Sequence, residues 1–448
     1  MFNFNKDLDL KQYANQLVEE GKTNGATIDA VNFDELEIAS EGKLSGVPFA
    51  MKENIAIQNH EVSASAKIIR SFVPTYTSTI YEKLIGAGAI PIVKTNMDEL
   101  AMGGSGRTSN YVQVHHPYHE DRIIGGSSSG SSFLVAAGKI PFAIGTDTGD
   151  SVRKPAAYGG VVGFKPTWGL VSRYGVYDFA PTWDTVGWLT NTVEESAVLM
   201  DVLQGYDVKD SSSLHPKQND FEQDINTDKK FKIGIIKSVI DEIEEPKIKE
   251  DFLKFIRAAR EQGHELVELE PNREVLSSIL VVYRTISSVE ALSTNASMNG
   301  FLFGNYFGKE GNYDDKITKA RTDGFTYEVK RRHLFGAEAV MNNAGLYREA
   351  RKARTLIIEE VNKMFEQCDL LVNPATGKYP PLIEENNPLR YGSLVDDYLG
   401  IFNATGSPSI TVPMNKDKEW PTALNISGKP FNDKEVLQMA KIMEDINE

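Results

Sequence analysis

The stretch Ser78–Asn96, "STIYEKLIGAGAIPIVKTN", decides the fold class. Its first half carries apolar residues at helical spacing and ends at Gly86 and Gly88, which stop a helix. Its second half, from Ile90 onward, is a short apolar run with the length of a buried strand. A helix that leads directly into a buried strand is the repeating unit of α/β proteins. The stretch therefore predicts an α/β fold.

Segments on both sides continue the same alternation. Strands are predicted within 46–57, 139–147, 231–240 and 264–270, and helices at 10–17, 248–259 and 335–366. A polar region at about 207–230, rich in Ser, Asp and Lys, reads as an exposed connection. Because no linker interrupts the pattern, we expect one α/β/α domain over 1–448 with a mixed central β-sheet flanked by helices. Within this domain we expect the core motifs at about 43–188, and we expect 231–448 to complete the sheet and a substrate pocket.

Composition and charge exclude several classes of protein. The chain has 448 residues and a formal net charge of −15, so its surface repels phosphate backbones and direct nucleic-acid binding is not expected. The single cysteine, Cys368, excludes an internal disulfide and suits a reducing compartment. The N-terminus lacks the layout of a signal peptide, and no apolar run approaches the ~18 residues of a membrane span. A cytoplasmic location is expected.

Lys52 is the first residue that could take part in chemistry. It lies inside the apolar strand "PFAMKENI", where a lysine is usually an edge residue whose ammonium reaches water. The alternative is a desolvated amine whose pKa falls far enough for it to act as a base.

The second feature is the loop Arg122–Gly138, "RIIGGSSSGSSFLVAAG". A flexible linker would separate domains, whereas this loop interrupts a continuous apolar pattern. A phosphate-binding loop would end in Gly-Lys-Ser/Thr, and the next lysine is Lys139. A catalytic loop and a tight structural turn remain open.

The third feature is Gly145–Gly175, "GTDTGDSVRKPAAYGGVVGFKPTWGLVSRYG". Ser151 follows a turn of small residues, where successive backbone N–H groups can converge on one oxygen. A serine hydroxyl needs an adjacent base to become a nucleophile, and a neutral lysine can serve.

Taken in this order, the three segments resemble the amidase signature family, and the resemblance runs from about Lys43 to Trp188. It implies a triad in which Ser151 is the nucleophile and Ser127, preceded by a cis peptide bond, relays the proton to Lys52. It also implies an oxyanion hole made by backbone N–H groups of Thr148, Gly149, Asp150 and Ser151.

Within the family, further segments resemble the A subunits of glutamyl-tRNA(Gln) amidotransferases: "KTNMDELAMG", "GLVSRYGV", "VVYRTISSVEA", "EVKRRHLFG" and "VDDYLGIFNATGSPSITVP". The matching glutamine-binding positions are Tyr283, Arg332 and Asp396. Arg332 suits the α-carboxylate of glutamine and Asp396 suits its α-ammonium. On spacing alone, Arg332 could instead belong to a solvated basic helix face.

This resemblance implies hydrolysis of glutamine to glutamate and ammonia, with no cofactor in this chain. A tRNA-binding kinase, the B subunit, would use ATP and Mg²⁺ to activate the mischarged glutamate, and a small C subunit would brace the pair. No metal site is expected here, because His115, His116 and His119 match no zinc spacing. A membrane association is not expected either.

Two alternatives stay open: a free-standing amidase that acts on small or acyl amides, and a non-catalytic scaffold subunit. The scaffold alternative arises because Asp150 replaces a glycine usual in the family, as Ser129 does in the preceding loop; the region before Lys43 is also short. At ~6 Å and an effective dielectric of about 20, a carboxylate would oppose an oxyanion by roughly 3 kcal/mol. We therefore expect the Asp150 charge to be turned outward or paired, with Arg153 or Lys154 as its partner.

Overall fold

A computed structural model describes residues 2–32, 37–308, 310–385 and 393–447. Within these ranges the chain forms eleven strands. The strands are β1 Thr27–Ala30, β2 Pro48–Lys52, β3 Ile90–Thr95, β4 Phe142–Asp147, β5 Val162–Lys165, β6 Thr185–Thr190, β7 Lys232–Ile236, β8 Glu265–Leu269, β9 Leu370–Pro374, β10 Ser409–Pro413 and β11 Ala423–Gly428.

All eleven strands join one mixed sheet in the order β1-β3-β2-β4-β6-β5-β10-β11-β9-β7-β8. The pairs β2–β3, β2–β4, β7–β8 and β7–β9 are parallel, and the other neighbours are antiparallel. Strands β2, β4 and β6 are buried along their whole length, as expected for a sheet covered on both faces. The predicted α/β fold with a mixed central sheet is confirmed.

Fifteen helices are described around this sheet. They are α1 Leu10–Asn24, α2 Thr79–Gly86, α3 Ser129–Ala136, α4 Arg153–Gly159, α5 Val193–Leu203, α6 Lys237–Asp241, α7 Pro246–Glu261, α8 Arg273–Ser277, α9 Ile279–Thr294, α10 Tyr313–Gly324, α11 Tyr327–Met341, α12 Ala344–Phe365, α13 Leu394–Asp397, α14 Ile401–Ala404 and α15 Asp433–Asn447. Single 3₁₀ turns lie at Lys67–Ile69, Glu99–Ala101 and Tyr398–Gly400.

Three of these elements bring the sequence motifs to one place. Strand β2 ends at Lys52, and its parallel neighbour β4 ends at Asp147. Carboxyl ends of parallel strands meet at one edge of a sheet, which is where α/β folds hold ligands. The loop that contains Ser127 leads into the fully buried helix α3, which packs against β4 and α4.

Two sequence expectations need correction. The predicted helix over 335–366 is broken between α11 and α12, because Asn342 caps α11 and Asn343 leaves the helical conformation. Asparagine competes for backbone hydrogen bonds with its own side chain, which favours such ends. The connection at 207–230 is without helix or strand, yet Phe221 and Ile225 are buried in the core rather than exposed.

One segment differs from the expectation on hydropathy. Among the described residues, Arg273–Thr294 is long and apolar enough to cross a membrane, with a mean hydropathy of 1.4 in its best window. The segment comprises α8 and α9, and α9 packs against α11 and α12. A core helix of a soluble protein passes the same test, so this single segment is weak support for a span.

Candidate active site

Lys52 is buried at the end of β2, where four oxygens surround its amine. Its Nζ donates to Ser127 Oγ at 2.8 Å, to Ser128 Oγ at 2.9 Å and to Thr146 Oγ1 at 2.9 Å, with the Thr146 carbonyl at 3.3 Å. Burial lowers the pKa of Lys52 to about 7, although nearby carboxylates oppose the shift. A lysine with this pKa is partly neutral at physiological pH and can accept a proton.

The predicted cis peptide bond is present between Gly126 and Ser127. This turn is closely packed, since a Cβ at Gly126 would lie 2.0 Å from Asp98 Oδ2. Asp98 accepts hydrogen bonds from the amides of Ser105 and Gly106, both at 3.1 Å, and thereby holds the neighbouring loop. The glycines and serines of this loop are therefore part of a packed site and not of a linker.

Ser151 lies between β4 and α4, beside the Ser127 loop. Its carbonyl accepts the amide N–H of Ser128 at 3.1 Å, and its side chain is nearly fully buried. In the described part of the chain no hydrogen bond joins the hydroxyls of Ser127 and Ser151. The structure thus brings Lys52 and Ser127 into contact and places Ser151 next to them through the backbone.

The loop at residues 148–151, which we call the oxyanion loop for its predicted role, has free amide donors. Within the described residues, the N–H groups of Gly149, Asp150 and Ser151 donate to no acceptor. Such unpaired donors beside a serine suit an oxyanion. The loop is fixed from one side by Asp147, which accepts Val152 N at 3.0 Å and forms an ion pair with Arg153 at 2.8 Å.

The Arg153 guanidinium is bonded to buried groups behind the loop. It also donates to Asn403 Oδ1 at 2.6 Å and to the Gly149 carbonyl at 2.9 Å. Burial would raise the pKa of Asp147, but the Arg153 guanidinium holds it at about 2. Arg153 is therefore not the partner of Asp150.

The carboxylate of Asp150 pairs with Lys154, whose Nζ lies 2.5 Å from Asp150 Oδ2. Burial would lower the pKa of Lys154, but Asp150 and its acidic neighbours raise it above its usual range, so the amine stays charged. Asp150 does not adopt a positive φ, so the position tolerates a side chain. Of the two cations named from the sequence, Lys154 neutralises the unusual carboxylate.

Arg332 and Tyr283 lie together near this loop, on α11 and α9. The Arg332 side chain is only 12% exposed, and its Nε donates to Glu328 Oε1 at 2.8 Å. Its buried Nη1 has no hydrogen-bond partner among the described residues. The Tyr283 side chain contacts the Arg332 guanidinium, and its ring would lie 3.3 Å from a Cβ at Gly149. A buried guanidinium with an unpaired N–H close to the oxyanion loop suits a carboxylate ligand.

Asp396, on α13, has other partners. Its carboxylate lies 3.2 Å from Lys378 Nζ, and its carbonyl accepts Lys154 Nζ at 2.6 Å. In the described part of the chain it forms no hydrogen bond with Tyr283 and no ion pair with Arg332. The structure therefore connects Asp396 to the site through Lys154, and the role assigned to its carboxylate stays a prediction.

Several site residues were missed from the sequence. Glu328 holds Arg332, and their i, i+4 spacing on one helix is a signal that could have identified the pair. Thr146 and Ser128 hold Lys52, and Phe179 lies under Arg332 with 5.3 Å between its ring centroid and the guanidinium carbon. No local pattern marks Phe179, because the contact joins distant parts of the chain.

Two of the three clustered histidines, His116 and His119, have packing partners. His116 is buried, which lowers its pKa to about 4, and its ring Nε2 is 3.1 Å from the Tyr158 carbonyl. His119 packs against Trp420 with 4.3 Å between ring centroids and 38° between the ring planes. No group of three or more His, Cys, Asp or Glu side chains within the described ranges is placed to hold a metal ion.

Comparison with known proteins identifies the family. The profile of the family described as Amidase matches residues 15–437. The A subunit of glutamyl-tRNA(Gln) amidotransferase from Methanosarcina mazei is 38% identical over 417 residues, which cover 90% of this chain and 85% of the relative. The counterpart from Staphylococcus carnosus is 37% identical and covers 92% and 86%.

Solved structures agree with this assignment. The A subunit of glutamyl-tRNA(Gln) amidotransferase from Thermotoga maritima superposes with a TM-score of 0.79 at 26% identity, covering 100% of this chain and 96% of that chain. A 6-aminohexanoate cyclic dimer hydrolase, at 20% identity and a TM-score of 0.82, covers 99% of this chain and 93% of its own and shares the fold alone. The extent of the profile and the identity to these relatives show that the chain belongs to the amidase signature family.

Proposed function

We propose that this chain is the glutamine-hydrolysing subunit of a tRNA-dependent amidotransferase. The observation that carries the proposal is the buried Arg332, whose Nη1 lacks a partner among the described residues while Tyr283 lies beside it and over Gly149. A carboxylate bound there would satisfy the unpaired N–H, and the rest of an amino acid would extend toward Ser151. The names of the relatives support the same activity.

In this proposal the residues divide the work as follows. Ser127 passes the proton of Ser151 to neutral Lys52, and Ser151 Oγ attacks the side-chain amide carbon of glutamine. The free amides of 149–151 stabilise the oxyanion. The proton held by Lys52 returns through Ser127 to the leaving nitrogen, so the C–N bond breaks, ammonia leaves and a glutamyl ester remains on Ser151. Water then gives a proton to Lys52 as it attacks the ester, and that proton goes to Ser151 Oγ as glutamate is released. No step needs a cofactor in this chain.

The wider assembly is also part of the proposal. The B subunit would bind tRNA and use ATP with Mg²⁺ to activate the glutamate, and a small C subunit would complete a cytoplasmic heterotrimer. The net charge of −15 supports this division of labour, because an acidic protein needs a partner to hold tRNA.

The test is an assay of amide hydrolysis by the chain with and without co-expressed partner subunits. Glutamine is compared with its des-amino analogue glutaramate and with butyramide. We expect glutamine to be preferred over butyramide by at least about a hundredfold in kcat/KM, because butyramide cannot satisfy Arg332. A preference for butyramide would indicate a free-standing amidase, and turnover of none of the three would indicate a scaffold.

A further inference from the structure

The carboxylate of Asp184 joins two parts of the candidate site that are distant in sequence. Asp184 is 5% exposed and lies just before β6. Its Oδ1 accepts the hydroxyl of Thr148 at 2.7 Å. Its Oδ2 accepts the amide N–H groups of Phe179 and Ala180, both at 2.9 Å. One buried side chain therefore holds the oxyanion loop against the turn Phe179–Asp184.

Aromatic side chains of this turn pack against Arg332 and Tyr283. The ring of Phe179 lies under the guanidinium and meets Tyr283 edge-on with centroids 6.4 Å apart. Trp183 meets the other side of Tyr283, with centroids 5.6 Å apart. The positions of Arg332 and Tyr283 therefore depend on where this turn lies.

Other anchors of the turn act elsewhere than at Thr148. Asn403 Nδ2 donates to the Trp183 carbonyl at 3.5 Å and to the Asp147 carbonyl at 3.1 Å, and the β4–β6 ladder pairs Asp147 with Thr185. Thr182 donates its amide and hydroxyl to Glu290 of α9, at 3.0 and 2.6 Å. Asp147 fixes the oxyanion loop from its other side through Val152 and Arg153. Among the described side chains, the Thr148–Asp184 hydrogen bond is the one that ties Thr148 to this turn.

We propose that Asp184 is a positioning residue that sets the distance between the oxyanion loop and the pocket of Arg332. The proposal rests on the proposed function, because only a substrate such as glutamine reaches both places. A substrate held at one end by Arg332 and attacked at the other requires a nearly fixed distance between these two places. A misplacement of about 1 Å costs on the order of a hundredfold in rate. A small amide that reaches only the oxyanion loop is indifferent to this distance.

The experiment uses threonine variants in the chain together with its partner subunits. Thr148→Val keeps the shape and removes the hydroxyl, and Thr148→Ser keeps the hydroxyl. Thr167→Val is the matched control, because Thr167 donates its hydroxyl to another buried carboxylate, Asp433, at 2.6 Å outside the site. For each variant, kcat/KM is measured with glutamine and with butyramide, and unfolding is followed by circular dichroism.

We expect Thr148→Val to lower the ratio of kcat/KM for glutamine to kcat/KM for butyramide at least about tenfold. Thr148→Ser should keep this ratio within about threefold of the wild-type ratio, and Thr167→Val should lose stability without changing the ratio. Asp184→Ala should show the same selective loss of kcat/KM for glutamine as Thr148→Val. The double variant should lose no more kcat/KM than the single variant with the larger loss. If Asp184→Ala does not fold, the threonine series alone decides.

The positioning role would be overturned if Thr148→Val lost the same factor in kcat/KM with both substrates. It would also be overturned if Thr148→Val and Thr167→Val had the same kcat/KM values. A wild type that hydrolyses butyramide but not glutamine would contradict the proposed function itself. In that case, a Thr148→Val variant that matches Thr167→Val on the preferred amide would overturn the positioning role as well.

Discussion

Lys52 combines complete burial with four surrounding oxygens, and among the described residues no carboxylate directly contacts its amine. Burial dominates its titration, and Asp98, Asp147 and Asp184 offset only part of the lowering of its pKa. An amine in this position can lose its proton near neutral pH, which a solvated lysine cannot. The residue is therefore suited to act as the base that activates a serine.

The activity of the site should consequently rise with pH through about 7, since the neutral form of Lys52 is the base and its pKa is lowered to about 7. Lys52→Arg should be inactive across the range, because a guanidinium with a pKa above ~12 cannot give up its proton. The measurement is kcat/KM for glutamine from about pH 5 to 9.

Lys165 provides the control for this prediction. Burial also lowers the pKa of Lys165 to about 7, but its Nζ donates to the carbonyls of Pro166 and Ser407 and not to a serine hydroxyl. Lys165→Met should keep the midpoint of the pH profile even where its stability falls.

Activity of Lys52→Arg would show that Lys52 supplies only a charge.

Arg332 should govern substrate affinity. Arg332→Ala should raise the KM for glutamine roughly 10- to 100-fold, since a charge-assisted hydrogen bond contributes about 1.5–3 kcal/mol. The change in kcat should be small if the carboxylate is held equally in ground and transition states. Steady-state kinetics with glutamine measures both constants.

Arg331 is the matched control, because it bonds the same Glu328 through Nε at 3.0 Å and Nη2 at 2.7 Å but is 24% exposed. Arg331→Ala should leave KM near the wild-type value. The same KM in both variants would show that Arg332 does not bind the substrate and belongs to a solvated basic helix face.

At the scale of elements, the loop between β4 and α4 carries an unusual charge next to the candidate nucleophile. The first turn of α4 supplies the compensation, because Lys154 reaches back to Asp150 and also donates to the carbonyl of Asp396 on α13. One amine thus links three segments of the site. A paired carboxylate opposes an oxyanion far less than a free one.

Breaking the ion pair between Lys154 and Asp150 should leave the carboxylate charge of Asp150 uncompensated. Lys154→Met should lower kcat by up to about a hundredfold, and adding Asp150→Gly should recover most of the loss. Asp150→Gly alone should change kcat less than about threefold, because the charge is already neutralised. A hundredfold gain in Asp150→Gly would instead show that the carboxylate suppresses the enzyme.

Elements also separate what the sequence could predict from what it could not. Local patterns placed β2 and β4, which are short apolar runs, and α7, whose apolar residues recur at helical spacing. They joined α11 and α12 into one helix, because apolar spacing continues past the Asn342-Asn343 break. Lys52 and Ser127 were predicted from their family motifs. The contact between Phe179 and Arg332 was not, because it depends on how the turn after residue 178 packs against α9 and α11.

At the scale of the whole molecule, one continuous sheet supports every part of the site. Strands β2 and β4 carry Lys52 and the oxyanion loop, while α9 and α11 bring Tyr283 and Arg332 over that loop. In the proposed function a partner subunit binds the tRNA, and the role of this chain is to supply ammonia. The central claim is therefore that Ser151, on this scaffold, hydrolyses glutamine.

The most direct test is the release of ammonia and glutamate from glutamine by wild type and Ser151→Ala, prepared in parallel with their partner subunits. Ser196→Ala is the control, because it removes a buried hydroxyl of α5 that bonds Thr190 at 2.7 Å outside the site. We predict equal amounts of ammonia and glutamate from wild type and from Ser196→Ala, and none above background from a folded Ser151→Ala. Turnover by Ser151→Ala at the wild-type rate, or none by the wild type, would contradict the account.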